Sequence, residues 1–141
     1  MSIICGQKEL VGKWVGDKIG NQEPWHLYEA IGLIRDGKIV GGVVVDNLIL
    51  GARCSIHCAG EGKNWLNREF MFVVFDYVFR QLGCNAVMNI VDGSNAASIR
   101  FTGHLGFSEV YRIKGGGKGG SDGVIFEMQK TDCKWLKRGF K

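Results

Sequence analysis

Apolar and polar positions change rhythm several times along the 141 residues, and each change marks an element. Residues 2–5 read as a short first strand. In residues 7–19, Leu10, Val11, Trp14, Val15 and Ile19 recur at near-helical spacing and predict an amphipathic helix. Gly12 and Gly16 sit awkwardly inside it, because glycine disfavours helix interiors. A loop over residues 20–24 leads to Trp25. Residues 26–35 predict a strand, and Asp36-Gly37 is a two-residue hairpin signal. Residues 38–46 contain Ile-Val-Gly-Gly-Val-Val-Val, apolar on both faces, which predicts a central strand. Residues 51–58 form the next strand.

Downstream the period lengthens. Residues 64–82 predict a long helix whose inner stripe is Leu66, Phe70, Val73, Val74, Tyr77 and Val78. Phe72, Phe75 and Phe79 give it a second apolar side, and Gly83 ends it. A strand over 85–91 follows, then a helix over 95–104 and a strand over 110–113. The glycine-rich loop 114–123 comes next, read as mobile enough to close over a substrate, and then a strand over 124–128. A short helix is expected around Trp135. Antiparallel runs joined by two crossover helices predict an α+β fold, a mixed sheet of seven strands flanked by helices. The length fits one domain over 1–141.

The sharpest local signal is the 95–104 helix. The Asn95 side chain can accept from a free backbone N–H one turn on. Gly106 suits the left-handed residue that ends a helix, and Phe107 then enters the core. With Ser98, Leu105, Gly106 and Phe107 in place, this stretch resembles the C-terminal motif of the GNAT superfamily of N-acetyltransferases. It is similar to the branch that acetylates protein N-termini, where the pattern runs Asn-x-x-(Ala/Ser), six residues, Leu-Gly-Phe. A second match lies upstream: His57-Cys58-Ala59-Gly60-Glu61-Gly62 keeps both glycines of (Arg/Gln)-x-x-Gly-x-(Gly/Ala). His57 replaces the usual Arg or Gln, and Glu61 stands where an apolar residue is common.

The resemblance implies a GNAT-like sheet with a splayed parallel pair, and acetyl-CoA held in the gap between strands 51–58 and 85–91. Gly60, Gly62, Lys63 and Asn64 would meet the pyrophosphate, since glycines admit close approach and helix-start N–H groups attract anions. Backbone donors near Ile56 and His57 would polarise the thioester carbonyl. Asn95, Ser98 and Arg100 would lie along the cofactor. Thr102 occupies the position where many members carry a tyrosine as general acid, with Tyr111 as a substitute.

An alkyl amine is almost wholly protonated at neutral pH, so a general base is expected. Imidazole is the side chain that ordinarily titrates near neutrality, so His57 leads, with Glu29 and Glu61 behind it. Trp25 and Tyr28 would wall the acceptor site, and Asp122 would hold a cationic amine. The expected reaction is acetyl transfer to a primary amine of a protein N-terminus, a lysine or a small molecule, by direct attack in a ternary complex. The rivals are a binding module that has lost turnover and a basic nucleic-acid-associated protein.

Bulk properties trim these readings. Hydrophobic residues make up 45% and charged residues 23%, ordinary for a globular chain. The net charge of +4 suits an anionic cofactor. Part of it sits in Lys130, Lys134, Lys137, Arg138 and Lys141, without the aromatic interleaving that would favour nucleic acid. No run is long enough to span a membrane. Five cysteines without Cys-x-x-Cys, and no signal-like start, point to reduced thiols in a cytoplasmic protein. Cys54, His57 and Cys58 have the wrong spacing for a zinc site. An exposed sheet edge leaves a homodimer open. The short N-terminal part is similar to small GNAT proteins of bacteria and phages.

Overall fold

The computed structural model describes residues 1–21, 23–62 and 65–137, without the side chain of Lys137. Its elements are β1 (Ser2–Ile4), α1 (Lys8–Ile19), β2 (Glu29–Arg35), β3 (Lys38–Ile49), β4 (Arg53–Gly60), α2 (Arg68–Asp76), β5 (Ala86–Asp92), α3 (Ala96–Leu105), β6 (Ser108–Ile113), β7 (Gly123–Gln129) and α4 (Lys134–Lys137). A π-helical turn, Tyr77–Gln81, continues α2. The seven strands form one sheet in the order β1-β2-β3-β4-β5-β7-β6. Among the described residues only β4 and β5 run parallel, and they pair at Arg53–Ala86 and Cys54–Val87 before separating.

Local chemistry places these elements. Asp36 and Gly37 both have positive φ, the primed turn whose twist matches a hairpin, and Arg35 pairs with Lys38 across it. β3 is central and runs three residues past its expected end at Asp46. β4 extends through Ala59 and Gly60, which the sequence pattern assigns to a loop. α2 begins at Arg68, four residues later than the apolar stripe suggests. Asn67 sets that start by accepting from Phe70 N at 2.8 Å.

The buried face of α2 is Phe70, Met71, Val74, Phe75, Val78 and Phe79. Phe75 and Phe79 thus belong to the main core and Val73 does not, because the π-helical turn and the sheet select the face. The main core lies between the sheet and α2, α3 and α4. A smaller one lies under α1, built on Val11, Val15, Ala30, Val44 and Ala59.

The glycines of α1 have a packing reason. A Cβ on Gly12 would stand 3.1 Å from the Tyr28 ring and 3.2 Å from Trp25, and one on Gly42 of β3 would stand 2.7 Å from Val15. Helix and sheet approach closely because these side chains are missing. Among the described residues, no helix is long and apolar enough to cross a membrane.

Candidate functional site

Where β4 and β5 part, side chains replace the backbone ladder. Ser55 Oγ donates to Met88 O at 2.6 Å, and Ile56 N donates to Asn89 Oδ1 at 2.9 Å. With Oδ1 fixed as acceptor, the Asn89 Nδ2 group presents its two N–H donors in the gap. Backbone N–H groups alternate along a strand. Ile56 N faces β5, so Cys58 and Gly60 N–H face the same widening gap, while His57 N–H faces β3. The donor at Ile56 is therefore occupied and that of His57 is turned away. Asn89 and Cys58 N–H are the donors nearest the gap, and the sequence patterns do not single them out for this role.

Two clefts meet here. One, about 340 Å³, is lined by Ile56, Cys58, Asn95, Ser98, Phe101 and Thr102, among others. The other, about 540 Å³, is lined by Trp25, His26, Asp46, Asn47, Ser55 and Met88, among others. His57, Asn89, Ile90, Lys118 and Ile19 line both.

α3 forms one wall. Asn95 Oδ1 accepts from Ser98 N at 3.1 Å, and Gly106, at φ 110°, closes the helix with Phe107 buried behind it. Ser98, Thr102 and Leu105 fall on one helix face toward the cleft, with Thr102 buried. Arg100 falls on the solvent side and does not line the cleft.

His57 shares its sheet face with Val44, on the α1 side, opposite to Cys54, Ile56 and Cys58. Its Nε2 lies 2.9 Å from Oδ1 of Asp46, a residue only 7% exposed. A carboxylate only accepts, so Nε2 carries the proton and Nδ1 is left as the basic nitrogen. The Trp25 ring stands 5.0 Å from the imidazole and is held by its Nε1 donating to Gly12 O at 2.9 Å. Asp46 is a site residue that the sequence reading missed. The available signal was a lone carboxylate after three valines in a central strand, which needs a partner when buried.

Other expected site residues are dispersed. Glu29 pairs with Val45, on the α2 face of the sheet, so His57 and Glu29 lie on opposite faces. There its charge adds to burial in raising the Tyr77 hydroxyl pKa. Glu61 forms an ion pair with Lys18 at the end of α1. Tyr28 lines a separate groove with Trp25 and stacks under Lys8. Asp122 accepts from Gly115 N at 3.2 Å and braces the glycine-rich loop; it lines neither cleft. Lys118 of that loop lines both, held by its N–H to Asp92 Oδ1 at 3.2 Å. Tyr111 is exposed on β6.

The phosphate end differs from the expectation. Gly60 does admit a close neighbour, but it is Trp65: a Cβ on Gly60 would meet the indole at 2.0 Å. Trp65 also stacks on Phe101 of α3, with ring centroids 5.9 Å apart. Gly62 lies exposed, six residues before α2. Lys63 and Asn64 lie outside the described residues.

Burial pushes the Cys58 thiol from its ordinary 9.0 up to about 12, so the sulfur nearest the gap is a neutral thiol.

No family model matches the chain, and no curated protein matches it by sequence. Solved structures do match. The spermidine/spermine N-acetyltransferase SpeG from Vibrio cholerae, in mutant forms, superposes with a TM-score of 0.74 at 12% identity. The match covers 99% of this chain and 99% of that chain. An acetyltransferase of the GNAT family from Bacillus anthracis superposes with a TM-score of 0.60 at 14% identity, over 84% and 72% of the two chains. A probable acetyltransferase matches at 21% identity with a TM-score of 0.57, over 73% and 62%. With the parallel pair splayed beside the Asn95–Gly106 helix, the chain has the fold of the GNAT acetyltransferases.

Proposed function

We propose that this protein transfers an acetyl group from acetyl-CoA to a primary amine by direct attack. The observation that carries this reading is the gap between β4 and β5, where two clefts meet at His57 and Asn89. One cleft suits a donor and the other an acceptor.

The residues fit an extended, amide-rich arm. Beyond Cys54, β4 has no strand partner on the β5 side among the described residues, so its Cys58 and Gly60 N–H groups can pair with such an arm as with a strand. Asn95 and Ser98 flank it from α3. Acetyl-CoA supplies the activated acetyl as a thioester. Asn89 Nδ2 and Cys58 N–H are positioned to donate to a carbonyl oxygen in the gap, where charge grows during attack. The amine arrives from the Trp25 side. His57 Nδ1 takes its proton as the C–N bond forms and the C–S bond breaks, and Asp46 holds the ring and steadies the imidazolium. Ser98 and Thr102 bring hydroxyls to the cleft wall that the departing sulfur faces. The neutral Cys58 thiol favours direct attack over an acyl-cysteine route.

The test is calorimetric titration of acetyl-CoA into wild type and Asn95→Ala, followed by thiol release with spermidine, lysine peptides and peptides with free N-termini. Micromolar binding that weakens in the variant, with release that depends on one amine class, is the expected result. A folded protein with no binding at millimolar acetyl-CoA would leave the non-catalytic module as the reading.

A further inference from the structure

The cleft on the Trp25 side carries two charged side chains that the transfer chemistry does not use. Its charged residues are Glu23, Asp46 and Lys118, with the imidazoles of His26 and His57 beside them. Asp46 is committed to His57. That leaves one carboxylate and one cation, and among the described residues neither has an ion-pair partner.

The two stand at opposite ends. Lys118 also lines the donor cleft, so it marks the junction where amine and thioester meet. Glu23 instead also lines the groove along α1, so it marks the outer end. Between them lie His57 and Trp25, with rings 5.0 Å apart, and Pro24, which joins Trp25 to Glu23.

The cation sits on a built mount. The glycine content of loop 114–123 suggests a moving flap, yet its backbone is packed and bonded. A Cβ on Gly117 would stand 2.5 Å from Asp122 O, and one on Gly93 would stand 3.0 Å from the same oxygen. Gly93 N donates to Asp122 O at 2.7 Å, Gly117 N donates to Ser121 O at 2.8 Å, and Ser121 Oγ donates to Lys118 O at 2.8 Å. Lys118 N donates to Asp92 Oδ1, and Asp92 lines the donor cleft but not the other. With its backbone held at both N–H and carbonyl, Lys118 has only side-chain freedom to lose on meeting an anion.

This charge placement selects a ligand. On the function proposed above, the reacting amine lies by His57. A cation at that junction is complementary to an anionic group next to the amine, and a carboxylate one carbon away makes the ligand an α-amino acid. Its side chain then crosses the Trp25 ring, which suits a methylene stem, and ends at the Glu23 carboxylate, which suits a terminal cation. A diamine would set its reacting end beside Lys118 with no anion to match it. An apolar amino acid would leave Glu23 unmatched.

We infer that the acceptor is a free basic α-amino acid of the lysine type, acetylated on its α-amine, with Lys118 selecting the carboxylate and Glu23 the distal cation. The inference rests on the transferase reading.

The experiment compares kcat/KM for thiol release from acetyl-CoA with lysine, with cadaverine, which lacks the carboxylate, and with norleucine, which lacks the distal cation. It uses wild type, Lys118→Gln and Glu23→Gln. Both residues are exposed and glutamine keeps much of the length, so the fold is spared. Wild type should favour lysine and yield the Nα-acetyl product. Lys118→Gln should lower the lysine-to-cadaverine ratio about fivefold, the upper value for an exposed ion pair, and leave the lysine-to-norleucine ratio where it was. Glu23→Gln should do the reverse. Taking ratios between variants cancels the intrinsic reactivity of each amine. Unchanged ratios, or a loss in Lys118→Gln that is equal for all three acceptors, overturn the assignment. So does wild type that prefers cadaverine, spermidine or a peptide with a free N-terminus, or that acetylates lysine at Nε. Each of these leaves the transferase reading intact. Thiol release with none of these amines sinks both.

Discussion

Replacing Asp46 with asparagine is the sharpest perturbation of the proposed mechanism, because it changes a proton's address and almost nothing else. In the native protein the carboxylate accepts from His57 Nε2 at 2.9 Å and leaves Nδ1 basic. An amide at the same place carries no charge to steady the imidazolium and, turned with its NH2 group toward Nε2, moves the proton to Nδ1 and blanks the base. A general base contributes about 10²–10⁴ in rate. Asp46→Asn should therefore lower turnover at least about 10²-fold, or about 2.7 kcal/mol of barrier.

The cost in stability should be much smaller. A charged hydrogen bond contributes about 1.5–3 kcal/mol when desolvated. The His57 side chain is 36% exposed, which reduces this to about 1 kcal/mol, or a few degrees in Tm. The assay is thiol release at saturating acetyl-CoA, with calorimetric Kd for acetyl-CoA and thermal unfolding run in parallel. In wild type the base removes the amine's proton. In the variant the rate should instead climb with pH, following the fraction of acceptor amine that is already neutral. Turnover within about threefold of wild type, far below the 10²-fold floor of a general base, would refute the His57–Asp46 assignment. So would a variant whose whole loss appears as weaker acetyl-CoA binding.

Two further outcomes test the packing and chemistry of the gap. Gly60→Ala would place a methyl 2.0 Å from the Trp65 indole, so Trp65 must move. Overpacking of this kind costs about 1–3 kcal/mol, read as a lower Tm with altered tryptophan fluorescence. Burial favours the neutral Cys58 thiol and raises its pKa from 9.0 to about 12, so this share of stability is present below about pH 9 and is lost as pH rises toward 12. Thermal unfolding between pH 8 and pH 11 should show a decline to which the buried Cys54 and Cys84 thiols and the Tyr77 hydroxyl, also raised by burial, contribute alongside Cys58, and Cys58→Val should make it shallower; Cys58→Val should also keep most of the turnover, and abolished thiol release would revive an acyl-cysteine route.

Much of this protein can be read from local rules. Asp36-Gly37 specifies its hairpin, Asn95 and Gly106 bound α3, and the run through Val43, Val44 and Val45 marks a strand buried on both faces, each because the deciding interactions lie within a few residues. Strand alternation alone puts His57 opposite to Cys54 and Cys58. The sequence could not decide contacts between elements. Asp46 meets His57 only through the β3–β4 register, and Glu29, three strands from the gap, is carried to the other face by the same alternation. Asn89 becomes a gap residue because β5 diverges from β4 after Cys54, a splay that no local pattern encodes. The meaning of Gly60 also changed with tertiary structure. A glycine announces that something comes close, but its neighbours along the chain do not say what, and here the fold brings the indole of Trp65. Short-range hydrogen bonds and steric limits are written in adjacent residues, whereas the partners of a buried charge and the occupant of a glycine's space depend on elements brought together by packing of the whole sheet.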